Sequence, residues 1–255
     1  MAIIPGLNWT APHDVFLGQI TEVDMSSAGL TVIRQEGLLP ANVLARVEAL
    51  PKSRQSVAVG KLSRLPEFKG LAGRVTEGIR KRVDAMLQQN DVGADRILSV
   101  KRDAVFVTGP APGRLVLQDG TRFKIKGSYT AFASLGGIEV YAVPRRGIAD
   151  LKGIPDERRE LHAKFTTRMV LDVLGMIERN NLVEAADTLQ QFRRDYAARL
   201  LPLGFYREFN STSAFAVRAG DNVFHLDGES DVDRGAIEIA YNLRNVVIPL
   251  ARAIA

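Results

Sequence analysis

Apolar and polar positions alternate with a period of two from Gly18 to Asp24 (GQITEVD), which predicts a strand that ends on an acidic residue. Ser26 and Ser27 follow with hydroxyls suited to capping a helix, and Leu30, Val32 and Ile33 can line one face of that helix. Residues 41–50 (ANVLARVEAL) are helical by spacing and stop at Pro51, while Leu71 to Leu87 predicts a longer helix with Val75, Ile79, Val83 and Leu87 on one side. Apolar runs at 96–100 and 104–107 flank Lys101-Arg102-Asp103 and read as two strands, or one bent strand, around an acidic residue. Short runs at 114–117, 121–125, 131–135 and 138–143 are separated by glycine-containing turns at Asp119-Gly120 and Gly136-Gly137, the pattern of an antiparallel sheet. Beyond Pro144 the period becomes that of helices. Leu161, Phe165, Met169, Val173 and Ile177 line one; Leu182, Ala186, Leu189, Phe192, Tyr196 and Leu200 line the next. The last part mixes short strands near 214–217 and 236–240 with a helix from Asn242. The stretch before Phe16, with Pro5, Pro12 and no period, predicts an arm lying over the rest.

These elements predict an α+β chain in three parts. An arm covers 1–17, a sheet-rich domain covers 18–154 with a helical insertion at about 41–90, and a helical region with short strands covers 155–255. Composition narrows the chemistry. The 255 residues include no cysteine, which removes disulfides, thiol nucleophiles, iron–sulfur clusters and zinc ribbons. Three scattered histidines, His13, His162 and His225, argue against histidine metal sites and serine-hydrolase triads. No apolar run approaches the ~20 residues of a membrane span, and the start lacks a signal-peptide pattern, so the expected location is the cytoplasm with no membrane partner.

The formal charge is +5, but its placement says more than its size. Arg54, Lys61, Arg64, Lys69, Arg74, Arg80, Lys81 and Arg82 face only Glu67 and Glu77 in their stretch, a concentration that can neutralise phosphates or can be a solvated helical face. Asp24 and Asp103 each end an apolar strand, 79 positions apart with helices between. That separation lets them lie on neighbouring strands and share divalent cations, the minimum for two-metal phosphoryl transfer; strand-end aspartates also serve as helix caps and turn acceptors. Lys152, Arg158 and Arg159 precede a helix, where the dipole disfavours cations, so they fit either an anionic ligand or a solvated surface.

Four segments in order resemble family B DNA polymerases. In VDMSSAGLTVI, Asp24 and Ser27 match the Asp and Ser of the first palm motif, and Thr31-Val32-Ile33 matches its Ser-Ile-Ile. VKRDAVFV is similar to the Asp-Thr-Asp-Ser hairpin with Asp103 at the second, metal-binding Asp; Lys126-Gly-Ser-Tyr129 is similar to Lys-Lys-Arg-Tyr; and Lys152-Gly153-Ile154 with Arg158-Arg159-Glu160 is similar to the Lys-Gly-Leu and Arg-Arg-Asp elements. The resemblance spans about 18–200. It implies an antiparallel-sheet palm, a helical thumb-like part after it, and a metal-dependent nucleotidyltransferase acting on a primer end. It further implies Mg²⁺ or Mn²⁺ at Asp24 and Asp103, nucleoside triphosphates near Ser27, and nucleic acid, DNA ahead of RNA, at Lys126, Tyr129, Lys152, Arg158 and Arg159.

The departures bear on activity. Lys101 replaces the first Asp of the hairpin, Ala104 its Ser, and Ala28-Gly29-Leu30 the Leu-Tyr-Pro turn. Lys101 can compete with cations for the carboxylates or contact a nucleic-acid phosphate. The fingers motif is missing, which leaves Lys61, with Arg54 and Arg64, as triphosphate candidates, and there is no room for an exonuclease. A protein partner that supplies the missing elements, and a viral source with the host cytoplasm as location, are the matching expectations. The alternative is a polymerase-derived subunit that has lost catalysis and serves in nucleic-acid binding or assembly.

Overall fold

The strands that alternation predicts join in one seven-stranded sheet. The computed structural model describes residues 3–134, 138–153, 165–198, 200, 216–219 and 222–225. Seven strands stand in the order β1-β3-β4-β2-β5-β6-β7: β1 Asn8–Thr10, β2 Val15–Met25, β3 Ile97–Lys101, β4 Ala104–Thr108, β5 Phe123–Ser134, β6 Glu139–Val143 and β7 Ile148–Lys152. A separate hairpin pairs β8 Ala216–Ala219 with β9 Asn222–His225. The chain divides into two compact units, residues 1–12 with 19–128, and 13–18 with 129–255.

In unit one, alternation turns one sheet face to helices α1 (Ala28–Gln35) and α4 (Leu71–Gln89). Val23, Met25, Val100, Val105, Val107 and Phe123 pack there on Val32, Val83, Met86 and Leu87. A bulge in β3 between Ile97 and Ser99 places Ile97 beside Val100 on that face, although three positions separate them. Gly78 permits the close crossing of α4 over α1, since a Cβ there would lie 2.4 Å from Val32. Ile33, Leu39, Leu71 and Val75 form a second cluster, which α2 (Ala41–Glu48) and α3 (Lys52–Leu62) border through Val43, Leu44, Val59 and Leu62. The Arg82 side chain, 10% exposed, ties α4 to its surroundings: Nη1 lies 2.6 Å from Glu36 and Nε 3.1 Å from Asp119, with Gln35 and Thr121 also accepting from Nε.

Unit two carries β6, β7 and the later part of β5. Ala131, Ala133, Val140 and Ala142 face α5 (Phe165–Glu178) and α6 (Leu182–Ala197) through Met169, Val170, Val173, Leu174, Ala185 and Leu189. Small strand residues let these helices lie close to the sheet. Phe132 and Tyr141 pair across the sheet with ring centroids 5.1 Å apart.

Several local expectations change. The separate strands expected at 121–125 and 131–135 are one continuous β5; Gly127-Ser128 between them is a pair that can turn, but here it keeps the extended backbone. Residues 114–117 form no strand; Val116 makes an isolated bridge to Arg122. Pro51 does not only stop a helix but stands at the N-cap of α3, a helix whose periodicity is weak because no residue in it is fully buried. After Pro144, a short 3-10 turn leads into β7 before the helices begin, with Gly147 left-handed at the turn. Within the expected arm, Asn8–Thr10 is β1 and pairs with β3, and the amides of Ile3 and Ile4 donate to Asp84. The elements expected at 236–240 and from Asn242 lie outside the described residues.

Candidate phosphoryl-transfer site

Asp24 lies on β2 opposite Ala104 of β4, and Asp103 occupies the two-residue turn between β3 and β4. Pairing of Lys101 with Ala104 closes that turn, whose first residue, Arg102, has a left-handed φ of 58°. The Met25 amide donates to the Asp103 carbonyl at 3.0 Å, which fixes the turn against the strand that carries Asp24. The β3–β4 turn that carries Asp103 therefore lies beside the Asp24 end of β2. Burial pushes the Asp103 carboxyl above its usual range, against a bond from its own amide; the charge of Asp24 pushes the same way, while Lys126 and Arg102 pull it down.

Period two also places Glu22 on the face of Asp24, and Lys126 on the face of Lys124. Lys124 Nζ stands 3.5 Å from Asp24 Oδ2, and Lys126 Nζ 3.4 Å from Glu22 Oε1. The Glu22 side chain is 1% exposed. Glu22 and Lys124 were missed in the sequence, although the alternation of GQITEVD and of Phe123 to Lys126 carries the signal. Lys101 points its ammonium to Thr10 Oγ1 at 3.1 Å, a partner supplied by β1.

Ser27 is the N-cap of α1 in a left-handed conformation, and its hydroxyl makes no capping bond, contrary to the role expected of the serine pair. Ser26, Ser27, Thr31, Gln55, Gly120 and Arg122 instead help to line a pocket of about 480 Å³. Arg34 and Glu48 also line it but pair with each other at 2.6 Å, which leaves the exposed Arg122 guanidinium and the uncapped N-terminus of α1 as the groups that favour an anion there. Arg54, Lys61 and Arg64 are exposed on α3 or just after it, and Gln55 is the α3 residue on the pocket wall.

The family described as bacteriophage PBS1 gene 130 protein matches residues 15–253. The chain belongs to that family. No curated protein matches this gene 130 family member. A solved structure similar to it is the family B DNA polymerase from the hyperthermophilic archaeon Pyrobaculum calidifontis, at 13% identity and a TM-score of 0.49, over 100% of this chain and 47% of that one. The chain thus spans about half the length of that polymerase.

In unit two of the gene 130 family chain, Tyr129 and Lys152 come together through Asp150, which the sequence reading did not single out. Tyr129 Oη donates to Asp150 Oδ2 at 3.2 Å, and Lys152 Nζ lies 2.7 Å from the same oxygen. Asp150 pairs with Tyr141, and Lys152 with Glu139, whose carboxylate accepts from the Tyr141 hydroxyl at 2.8 Å. Only sheet register could reveal this cluster. Arg158 and Arg159 lie outside the described residues.

Proposed function

We propose that this phage-family protein is a family-B-like nucleotidyltransferase that extends a nucleic-acid primer. The observation that carries the reading is that Asp24 and Asp103, remote in sequence, share one electrostatic field beside an anion-favouring pocket. The donor set fits Mg²⁺: two carboxylates offer hard oxygen ligands, and Mg²⁺ commonly completes its shell with water and substrate phosphates rather than a protein cage. Asp24 and Asp103 would hold it, and bound Mg²⁺ or Mn²⁺ would acidify the attacking hydroxyl and stabilise the departing pyrophosphate.

The chain's own groups position the reactants. Ser27, the first α1 amides and Arg122 hold the triphosphate; Lys126, and in unit two Tyr129 and Lys152, contact primer or template, with Arg158 and Arg159 added on the motif resemblance. DNA is the preferred polymer. A protein partner that supplies the missing polymerase elements belongs to the same reading.

The test is extension of a labelled primer-template with all four dNTPs, then with NTPs, in Mg²⁺ or Mn²⁺. Extension that is lost in Asp103→Asn and Asp24→Asn supports the reading; extension equal to wild type in both variants overturns it.

A second reading, a binding or assembly subunit without catalysis, rests on the lysines. Lys124 and Lys126 already compensate Asp24 and Glu22, and among the described residues no group of three Asp, Glu, His or Cys side chains is placed to hold a metal. It predicts no extension under any cation, with salt-sensitive nucleic-acid binding intact in wild type and in both variants.

A further inference from the structure

We propose that the outer side of α3 and the turn after it form a docking surface for a nucleic-acid backbone, on the side of the helix away from Gln55 and the candidate transfer site. From Lys52 to Arg74 the chain carries six cations, Lys52, Arg54, Lys61, Arg64, Lys69 and Arg74, against the single acid Glu67, a net of +5 that equals the formal charge of the whole chain. All six are exposed, and none makes an ion pair among the described residues. Five other cations of unit one are paired, Arg34 with Glu48, Arg80 with Glu77, Arg82 with Glu36 and Asp119, Lys124 with Asp24 and Lys126 with Glu22, whereas exposed Arg46, Lys81, Arg102, Arg114 and Arg122 are spread over the rest of the unit rather than gathered in one stretch.

The helix is built to leave that charge outside. Gln55, Ala58, Val59 and Leu62 are half-buried and form the inward face; Gln55 also donates to the carbonyls of Glu48 and Leu50. Arg54 and Lys61 are seven residues apart and so lie one above the other, away from that face. Ser53, Ser56 and Gly60 complete the outer side, with only Val57 as a larger exposed residue, and a Cβ at Gly60 would meet nothing within 4 Å. Small side chains allow a polymer backbone to approach, and mobile cations at their edges can follow its phosphates without fixed geometry. The expected ligand is therefore the phosphodiester backbone, read without sequence preference.

Charge complementarity favours this occupant over an apolar protein partner, since Val57 and Leu65, the exposed large apolar residues of the surface, stand singly among the cations. The surface needs neither Asp24 nor Asp103, so it stands if the transfer reading fails.

The experiment measures anisotropy of a labelled 20-nucleotide single strand and of a 20-base-pair duplex against salt, with full-length protein and no divalent cation. Lys52→Gln/Arg54→Gln/Lys61→Gln/Arg64→Gln should weaken binding about tenfold or more at 0.1 M salt and lower the log–log slope by about 3, from about 0.7 per lost single-strand contact. The charge-keeping variant Lys52→Arg/Arg54→Lys/Lys61→Arg/Arg64→Lys should bind as wild type. A loss confined to one nucleic-acid arm names the form bound. An unchanged slope in both arms, equal loss in the charge-keeping variant, or loss only on phosphatidylglycerol vesicles would overturn the proposal.

Discussion

Lys124 and Lys126 on β5 and Arg54 and Lys61 on α3 carry the same charge within one unit, yet the first pair is spoken for and the second is not. The strand lysines stand 3.5 and 3.4 Å from Asp24 and Glu22, whereas the α3 cations reach into solvent. A paired cation's charge is partly offset by its partner, so a new anion there meets a weaker field. An unpaired cation offers its whole charge at once but little geometric selectivity. The sheet face is accordingly the place for chemistry that depends on position, and α3 the place for capture.

Arg82 is the extreme of the paired class and tests the contrast most severely. Arg82→Met should cost about 3 kcal/mol, because it leaves Glu36 and Asp119 without their shared buried partner; urea unfolding followed by circular dichroism measures it. Lys126→Met should cost about 2 kcal/mol by the same measurement, since it leaves the buried Glu22 with one cation fewer, and Glu22→Gln in that background should recover most of the loss. A cost near zero for either variant would mean that pairing does not offset the charge.

Asp103 sharpens the comparison through pH. Its carboxyl is raised above the usual range by burial first and by Asp24 as well, so the folded protein binds that proton more tightly than the unfolded chain does. The resulting stability is complete below the ordinary carboxylate pKa and is lost as pH rises through the raised value. Asp103→Asn should therefore melt above wild type at pH 7 and lose that advantage as pH falls to about 3. Saturating Mg²⁺ should raise the melting temperature of wild type and not of the variant. The smallest effect belongs to α3: each Gln substitution there should change stability by no more than about 0.5 kcal/mol, whatever it does to nucleic-acid binding.

What the sequence discloses follows from how local each signal is. α4 announces itself because one side of it is buried along its length, which writes a period of 3.6 into the chain; β2 is legible from the alternation of apolar and polar residue types, although Thr21 and Glu22 are as buried as Ile20 and Val23. α3 escapes notice for the opposite reason, as it buries no residue fully. At the candidate site, Asp24 and Asp103 are legible as acids at strand ends, and Glu22 is implicit in the same alternation. The Thr10 partner of Lys101 and the Asp150 link between Tyr129 and Lys152 depend on which strands lie side by side, and strand neighbours are not written in local periodicity.

The two-residue connection at Arg102-Asp103 also constrains which changes of length the gene can accept. Met25 reaches the Asp103 carbonyl only in the present register, and an inserted or deleted residue there displaces the acid from Asp24. If β4 slips by one position to compensate, Val105 and Val107 turn away from the helices and Phe106 turns toward them, so the centre and the core are lost together. Insertions and deletions in this family should therefore collect elsewhere and leave this hairpin unchanged in length.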